Sequence, residues 1–320
     1  MREVKYLSPS SISLWDQNRE EFYWRYLAED KPARLLQTPP MAVGSSFDAY
    51  VKSELTRKLF GTTDVAGVDH SFDALFTAQV EEHIRDEARV QGAAVMELYR
   101  SSGALADLVL ELQTAIEDPR FEFSVEGRIP HEKVVGGIPL LGRPDIFFRT
   151  KDVSIVDDWK VNGWYAKKPP SPAKGYLKCR NLKNGIFTYK THKDVCPMMI
   201  KGQMIDTYFK MEDINPSWAT QETIYAWVLG VEVEADYITG IDQIVGRSRV
   251  SSIRNRVSSE YQHQLLDRIA DIWNRITLGH IFDGTREESD ARIQMLDNYA
   301  EGYRRDQSEH KDWLEGVFRS

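Results

Sequence analysis

At 320 residues the chain is about twice the roughly 150 of a typical domain, which predicts two domains or one domain enlarged by an insertion. It is 42% apolar and 28% charged, the composition of a globular protein rather than a disordered or collagenous one. Lysine and arginine total 41 against 49 aspartate and glutamate, and this net charge of −8 argues against indiscriminate coating of nucleic acid or acidic membrane.

Residues 8–29 open on a Ser/Pro cap signal, and Ile12, Trp15, Phe22, Tyr23 and Tyr26 recur at mostly helical spacing, which predicts an aromatic helix packed into a core. A second helix is expected over 44–60, with Phe47, Tyr50 and Val51 on its apolar face. Residues 71–117 read as helical with a break at Ser101-Ser102-Gly103. From 120 to 160 the texture changes to short β-rich runs joined by Gly-Gly and a tight turn near Thr150-Lys151-Asp152, an antiparallel meander. Residues 218–229 read as a helix, 231–256 contain strands, and 258–279 form an amphipathic helix ending at Gly279. The tail 285–320 is charged and reads as a helix that is either a solvated face or a self-association element.

Residues 160–193 break the overall charge balance: nine lysines and arginines and no acidic residue. They are Lys160, Lys167, Lys168, Lys174, Lys178, Arg180, Lys183, Lys190 and Lys193, interleaved with Trp164, Tyr165, Tyr176, Phe187 and Tyr189. Ordinary surfaces mix both signs, so an acid-free run of this kind is expected to contact phosphates, with Trp164, Tyr165 or Tyr176 stacking on unpaired bases. Asn184-Gly185 is a hairpin signal within it. Arg247, Arg249, Arg254 and Arg256 form a second acid-free cluster.

P-loop, zincin, nucleophile-elbow and dinucleotide-binding motifs are all missing from the sequence, and two cysteines can supply neither a disulfide scaffold nor an iron–sulfur cluster. Cys179, His192 and Cys196 lack a fourth zinc ligand and read as ordinary side chains. No window approaches about eighteen apolar residues, and the first residues lack an apolar core, so a cytoplasmic protein without a membrane span is expected.

Chemistry is concentrated in LGRPDIFFRTKDVSIVDDWKV, residues 141–161. A two-residue turn at Lys151-Asp152 sets a register in which paired residues sum to 303, so Asp145 faces Asp158. Lys160 then emerges on the face of Asp158. Asp157 is the competitor and lacks a lysine two residues on. Two facing carboxylates repel unless a cation lies between them, and an oxygen-only donor set suits Mg²⁺ or Mn²⁺. Such an ion beside a lysine fits phosphodiester hydrolysis; on geometry alone, surface ion pairs are an equal reading.

These residues also resemble a known signature. GRPD followed thirteen residues later by DWK is similar to the PD-(D/E)XK nucleases, and the surroundings resemble their RecB-like exonuclease branch. The Ser-rich start SPSSISLWDQNREEFYWRYL, the Gly44-to-Asp48 spacing and Gln221-x-x-x-Tyr225 follow that branch in order, across most of the chain. Asp48 stands where the branch usually has histidine, and its iron–sulfur cysteines are missing.

The resemblance implies an α/β core, a central mixed sheet flanked by helices, formed by residues 1–160 and 216–284. It leaves 161–215 as a basic β-rich insertion and 285–320 as a tail. It implies Mg²⁺ or Mn²⁺ held by Asp145, Asp158, the Trp159 carbonyl and Asp48, with Lys160 orienting or activating the attacking water. Gln221 and Tyr225 would support the site or the DNA backbone, helix packing being an equal reading for both, and Lys167, Lys168, Lys174, Lys178, Arg180 and Lys183 would hold phosphates. Glu126 reads as a solvent-facing strand residue. The implied activity is DNA exonucleolysis in recombination, repair or phage DNA processing, in the host cytoplasm for a phage protein. A single-stranded DNA end, a recombination or replication partner and an oligomer are compatible with it, as are an RNA substrate, an endonuclease and a nuclease-derived binding module.

Overall fold

The computed structural model of the chain describes residues 1–29, 36–121, 125–128, 137–151, 154–166, 209–210, 215–233, 235 and 237–299. Helices α1 (Pro9–Gln17) and α2 (Arg19–Phe22) lead into a π-helical turn, Tyr23–Leu27, and then α3 (Pro39–Phe60). A small ribbon of β1 (Asp64–Val65) and β2 (Val68–Asp69) precedes α4 (Phe72–Gln79), α5 (Arg85–Ser101) and α6 (Ala104–Leu112). Five strands follow: β3 (Arg120–Phe121), β4 (Val125–Arg128), β5 (Pro139–Gly142), β6 (Ile146–Arg149) and β7 (Ser154–Asn162). The remainder is β8 (Phe209–Lys210), α7 (Pro216–Val228), β9 (Tyr237–Val245), β10 (Arg249–Val257), α8 (Ser259–Thr277) and α9 (286–299).

The chain divides into two units, one of residues 35–130 and 140–265, the other of residues 1–34, 131–139 and 266–320. The first contains a mixed sheet in the order β3-β6-β7-β9-β10-β8. β7 and β9 run parallel, and β6–β7 and β9–β10 are antiparallel. Side chains alternate across a strand, so each face of this sheet needs its own cover. Ile146, Phe148, Ile155, Trp159, Ile244 and Val250 pack against Phe47, Val51 and Leu55 of α3, Tyr99 of α5 and Leu108 of α6. Phe147, Val156, Tyr237 and Ile241 face the other way, onto Ala219, Tyr225 and Ala226 of α7. α3 and α5 cross closely at Gly92, where a Cβ would meet the Ser46 hydroxyl at 2.1 Å.

In the second unit, Ser8 and Ser11 cap α1 reciprocally, each backbone N–H donating to the other's hydroxyl at 2.8 and 3.3 Å. Trp15 and Phe22 meet edge to face at 5.0 Å, with the Arg19 and Arg275 guanidinium groups over the Trp15 ring. The aromatic pattern of the first thirty residues is thus core packing, although the expected single helix is interrupted at Asn18, whose side chain caps α2.

Three expectations are corrected. The 120–160 stretch is not one meander: β3 pairs directly with β6, while β4 and β5 form a separate ribbon. Gly142 accounts for the placement of that ribbon, because a Cβ there would come within 2.7 Å of Val228 on α7. The basic insertion cannot begin at 161, since β7 pairs with β9 through Asn162 and Trp164 is buried. The tail is not wholly solvated, because α9 buries Leu296 and accepts a 2.7 Å hydrogen bond from the Tyr23 hydroxyl at Asp297. Among the described residues no helix is long and apolar enough to cross a membrane.

Candidate active site

β6 and β7 pair as Ile146↔Asp157, Phe147↔Val156, Phe148↔Ile155 and Arg149↔Ser154, so every pair sums to 303. One step beyond the ladder, Asp145 faces Asp158. The Trp159 N–H donates to Asp145 Oδ2 at 3.2 Å. A strand residue's N–H and C=O point to the same edge, so the Trp159 carbonyl also points to the side where β6 has ended.

Lys160 lies on the Asp158 face, as the alternation requires. Its ammonium contacts Asp158 Oδ2 as an ion pair off the hydrogen-bond direction, and donates to Gln221 Oε1 at 2.8 Å. The Gln221 amide in turn donates to Asp158 Oδ1 and to the Tyr225 hydroxyl, both at 2.9 Å. Gln221 and Tyr225 are one helical turn apart on α7, and that spacing points both at β7. Asp157 projects to the opposite face, and its Oδ1 accepts the Asp158 N–H at 3.0 Å.

Lys52, which sequence reasoning did not single out, completes the arrangement. It lies one turn after Asp48 on α3 and donates to Asp48 Oδ2 at 2.7 Å and to Asp145 Oδ1 at 3.1 Å. Gln79 Nε2 adds a 3.0 Å bond to the same Asp48 oxygen. The Lys52 side chain is 0% exposed, whereas Asp48 and Asp145 retain 16% and 22%, so solvent reaches the cluster from the carboxylates and not from the ammonium. The cation that the facing carboxylates demand on sequence grounds is therefore supplied in part by the chain itself. Asp48, expected among the metal ligands, accepts hydrogen bonds from Lys52 and Gln79.

The two facing aspartates are driven apart electrostatically. Burial alone would raise Asp145, but Lys52, Lys160 and the Trp159 N–H outweigh it and hold this carboxyl below its usual range. Burial pushes Asp158 up to about 7, opposed by Lys160 and reinforced by the negative Asp145. Of the two, Asp158 is thus the one that takes up a proton more readily. For Lys160, burial works toward a lower pKa, but Asp158 and Glu222 hold it above the usual lysine value, keeping it an ammonium. Glu222, fully buried next to Gln221, lacks a hydrogen-bond partner on either oxygen; burial, then Asp158, lift it well above the carboxylate range.

On the opposite face of β7 a hydrogen-bond network surrounds Trp159. The Trp159 indole N–H donates to the Tyr99 hydroxyl at 3.3 Å, and Tyr99 and Ser252 both donate to Asp242, on β9 beside Trp159. This network fixes the indole, and with it the backbone between Asp158 and Lys160.

Of the expected nucleic-acid contacts, Trp164 is buried, donating to Gln91 Oε1 at 2.8 Å beneath the Arg247 guanidinium, so its faces are unavailable to a base. Tyr165 is 38% exposed and donates to Glu87. Lys167, Lys168, Lys174, Tyr176, Lys178, Arg180 and Lys183 lie outside the described residues, as do Cys179, the Asn184-Gly185 hairpin, His192 and Cys196. Glu126 lies on β4, and α7 brings a further carboxyl, Glu222, next to Gln221.

Among the described residues no group of three or more His, Cys, Asp or Glu side chains is arranged to hold a metal ion, because Lys52 separates Asp48 from the facing pair. Open depressions of about 490 Å³ beside Arg19 and Arg292 and about 440 Å³ beside Arg100 and Leu105 share no lining residue with this cluster.

No family description and no curated protein matches the chain. Among solved structures, the crystal structure of SSO0001 is 11% identical over 80% of this chain and 84% of its own, with a TM-score of 0.24. A likeness that low carries no argument about fold or function.

Proposed function

We propose that the chain is a metal-dependent deoxyribonuclease of the PD-(D/E)XK superfamily, in its RecB-like branch, hydrolysing phosphodiester bonds as an exonuclease. The observation that carries the reading is Gln221. Its amide joins Asp158, Lys160 and Tyr225 in one hydrogen-bonded cluster, with Asp145 facing Asp158. Residues up to eighty positions apart, chosen for the resemblance, are thereby brought to one place.

The donor set fits a hard divalent ion. Asp145, Asp158 and the Trp159 carbonyl offer oxygen only, and a cation between the facing carboxyls would offset the charge of Asp145 that raises Asp158. Mg²⁺ or Mn²⁺ bound there would supply a water of lowered pKa and offset charge on the attacked phosphate. Lys160, kept an ammonium by Asp158 and Glu222, orients the attacking water and stabilises the negative charge developing at phosphorus. Gln221 fixes Lys160 relative to Asp158, and Tyr225 fixes Gln221. The acid-free segment after residue 160 supplies phosphate contacts in a chain that is otherwise acidic.

The Lys52–Asp145 ion pair favours a second reading, a nuclease-derived DNA-binding module, because an ammonium already occupies one oxygen of the central carboxylate. Incubation with linear and covalently closed circular DNA in Mg²⁺ or Mn²⁺ separates the readings. An exonuclease digests the linear form and leaves the circle intact, an endonuclease opens the circle, and a binding module retains both uncut, with or without metal.

A further inference from the structure

Lys52 is a buried charge that neither packing nor the proposed chemistry explains. Its neighbours along α3, Val51 and Leu55, belong to the apolar core, and an ammonium there is costly unless it is paired. It is paired with two carboxylates from distant parts of the chain, at 2.7 Å to Asp48 and 3.1 Å to Asp145. The same carboxylate, Asp145, faces Asp158 through its other contacts. Asp145 is therefore shared between two cation positions, one toward Asp48 and one toward Asp158. A carboxylate shared in this way is how an enzyme seats two divalent ions about 3.5–4 Å apart.

We propose that Lys52 is a resident cation that fills the Asp48–Asp145 position, so that the site takes one divalent ion, on the Asp145–Asp158 side, instead of two. An ammonium has no lone pair to offer a metal, and an ion needing oxygens at about 2.0–2.1 Å cannot share its place. Lys52 has no exposed surface, and Gln79 holds Asp48 from the other side, so displacing Lys52 would remove a cation from two carboxylates at once. The number of ions rests on the proposed metal-dependent reading; the assignment of Lys52 as counter-cation does not.

Mn²⁺ binding to the full chain, followed by electron paramagnetic resonance, tests it without reference to cleavage. Wild type is expected to bind one Mn²⁺ and Lys52→Met two. Asp48→Asn is expected to keep one ion with affinity within about twofold of wild type. Two ions on wild type, an unchanged single ion on Lys52→Met, or a tenfold weaker ion on Asp48→Asn would each overturn the proposal. Should Lys52→Met fail to fold, Asp48→Asn still decides. No ion on wild type but one on Lys52→Met would sink the metal-dependent reading and leave the role of Lys52 standing.

Discussion

Asp158 and Asp242 are buried carboxyls on adjacent parallel strands, one register step apart, and face opposite sides of the sheet. Asp242 accepts hydrogen bonds from Tyr99 and Ser252, in a network that ends at the Trp159 indole. Asp158 lies against a second carboxyl and a lysine, above a glutamate without a hydrogen-bond partner. The α3 face carries a hydrogen-bond network around Trp159, which rigidifies; the α7 face concentrates buried charges that neighbouring lysines and protonation offset only in part. A protein gains nothing in stability from the second arrangement, so it marks where the fold gives up stability for chemistry.

The sharpest way to break this contrast is to neutralise each carboxyl in turn. Asp158→Asn should lower DNA cleavage by on the order of a thousandfold while making the metal-free protein more stable. The sign follows from the raised pKa: the folded state holds the Asp158 proton more tightly than the unfolded chain, so its contribution is fully present below about pH 4. That contribution is lost as pH rises toward 7, a loss bounded by about 4 kcal/mol. Denaturation in chelator at pH 5 and pH 8 should show the variant's advantage at both, smaller at pH 5 and larger at pH 8. Asp242→Ala should do the reverse, costing about 3 kcal/mol at both pH values because it strands two buried hydroxyls. Tyr99→Phe, which removes one bond to Asp242 and one from Trp159, should cost about 1–2 kcal/mol in the same measurement. Tyr225→Phe should have the smallest effect, a cleavage loss of about threefold to tenfold with unchanged stability, since it removes one neutral hydrogen bond to Gln221.

The readable parts of the site were those with short-range periodicity. A tight turn and strict alternation placed Asp145 opposite Asp158 in the observed register, and helical spacing put Gln221 and Tyr225 on one face. Lys52 was hidden because its decisive partner is 93 positions away, and an Asp and a Lys one turn apart on a helix otherwise look like a surface pair. The end of β7 was misplaced because the charge pattern changes at Lys160, while strand pairing continues to Asn162. Trp164 read as a stacking platform from its lysine neighbours in sequence; in space it is covered by Arg247 and bonded to Gln91. The separate β4–β5 ribbon depended on a close approach of Gly142 to Val228, a tertiary contact that local pattern does not encode.

The central claim is that Asp145, Asp158 and Lys160 together cut DNA with a divalent ion. Single-turnover digestion of end-labelled linear DNA by wild type and Lys160→Ala, across a series of Mg²⁺ and Mn²⁺ concentrations, tests it most directly. Metal-dependent release of nucleotides by wild type, slowed at least a hundredfold in Lys160→Ala, is predicted; intact DNA at every metal concentration, or equal rates for the two proteins, would contradict it.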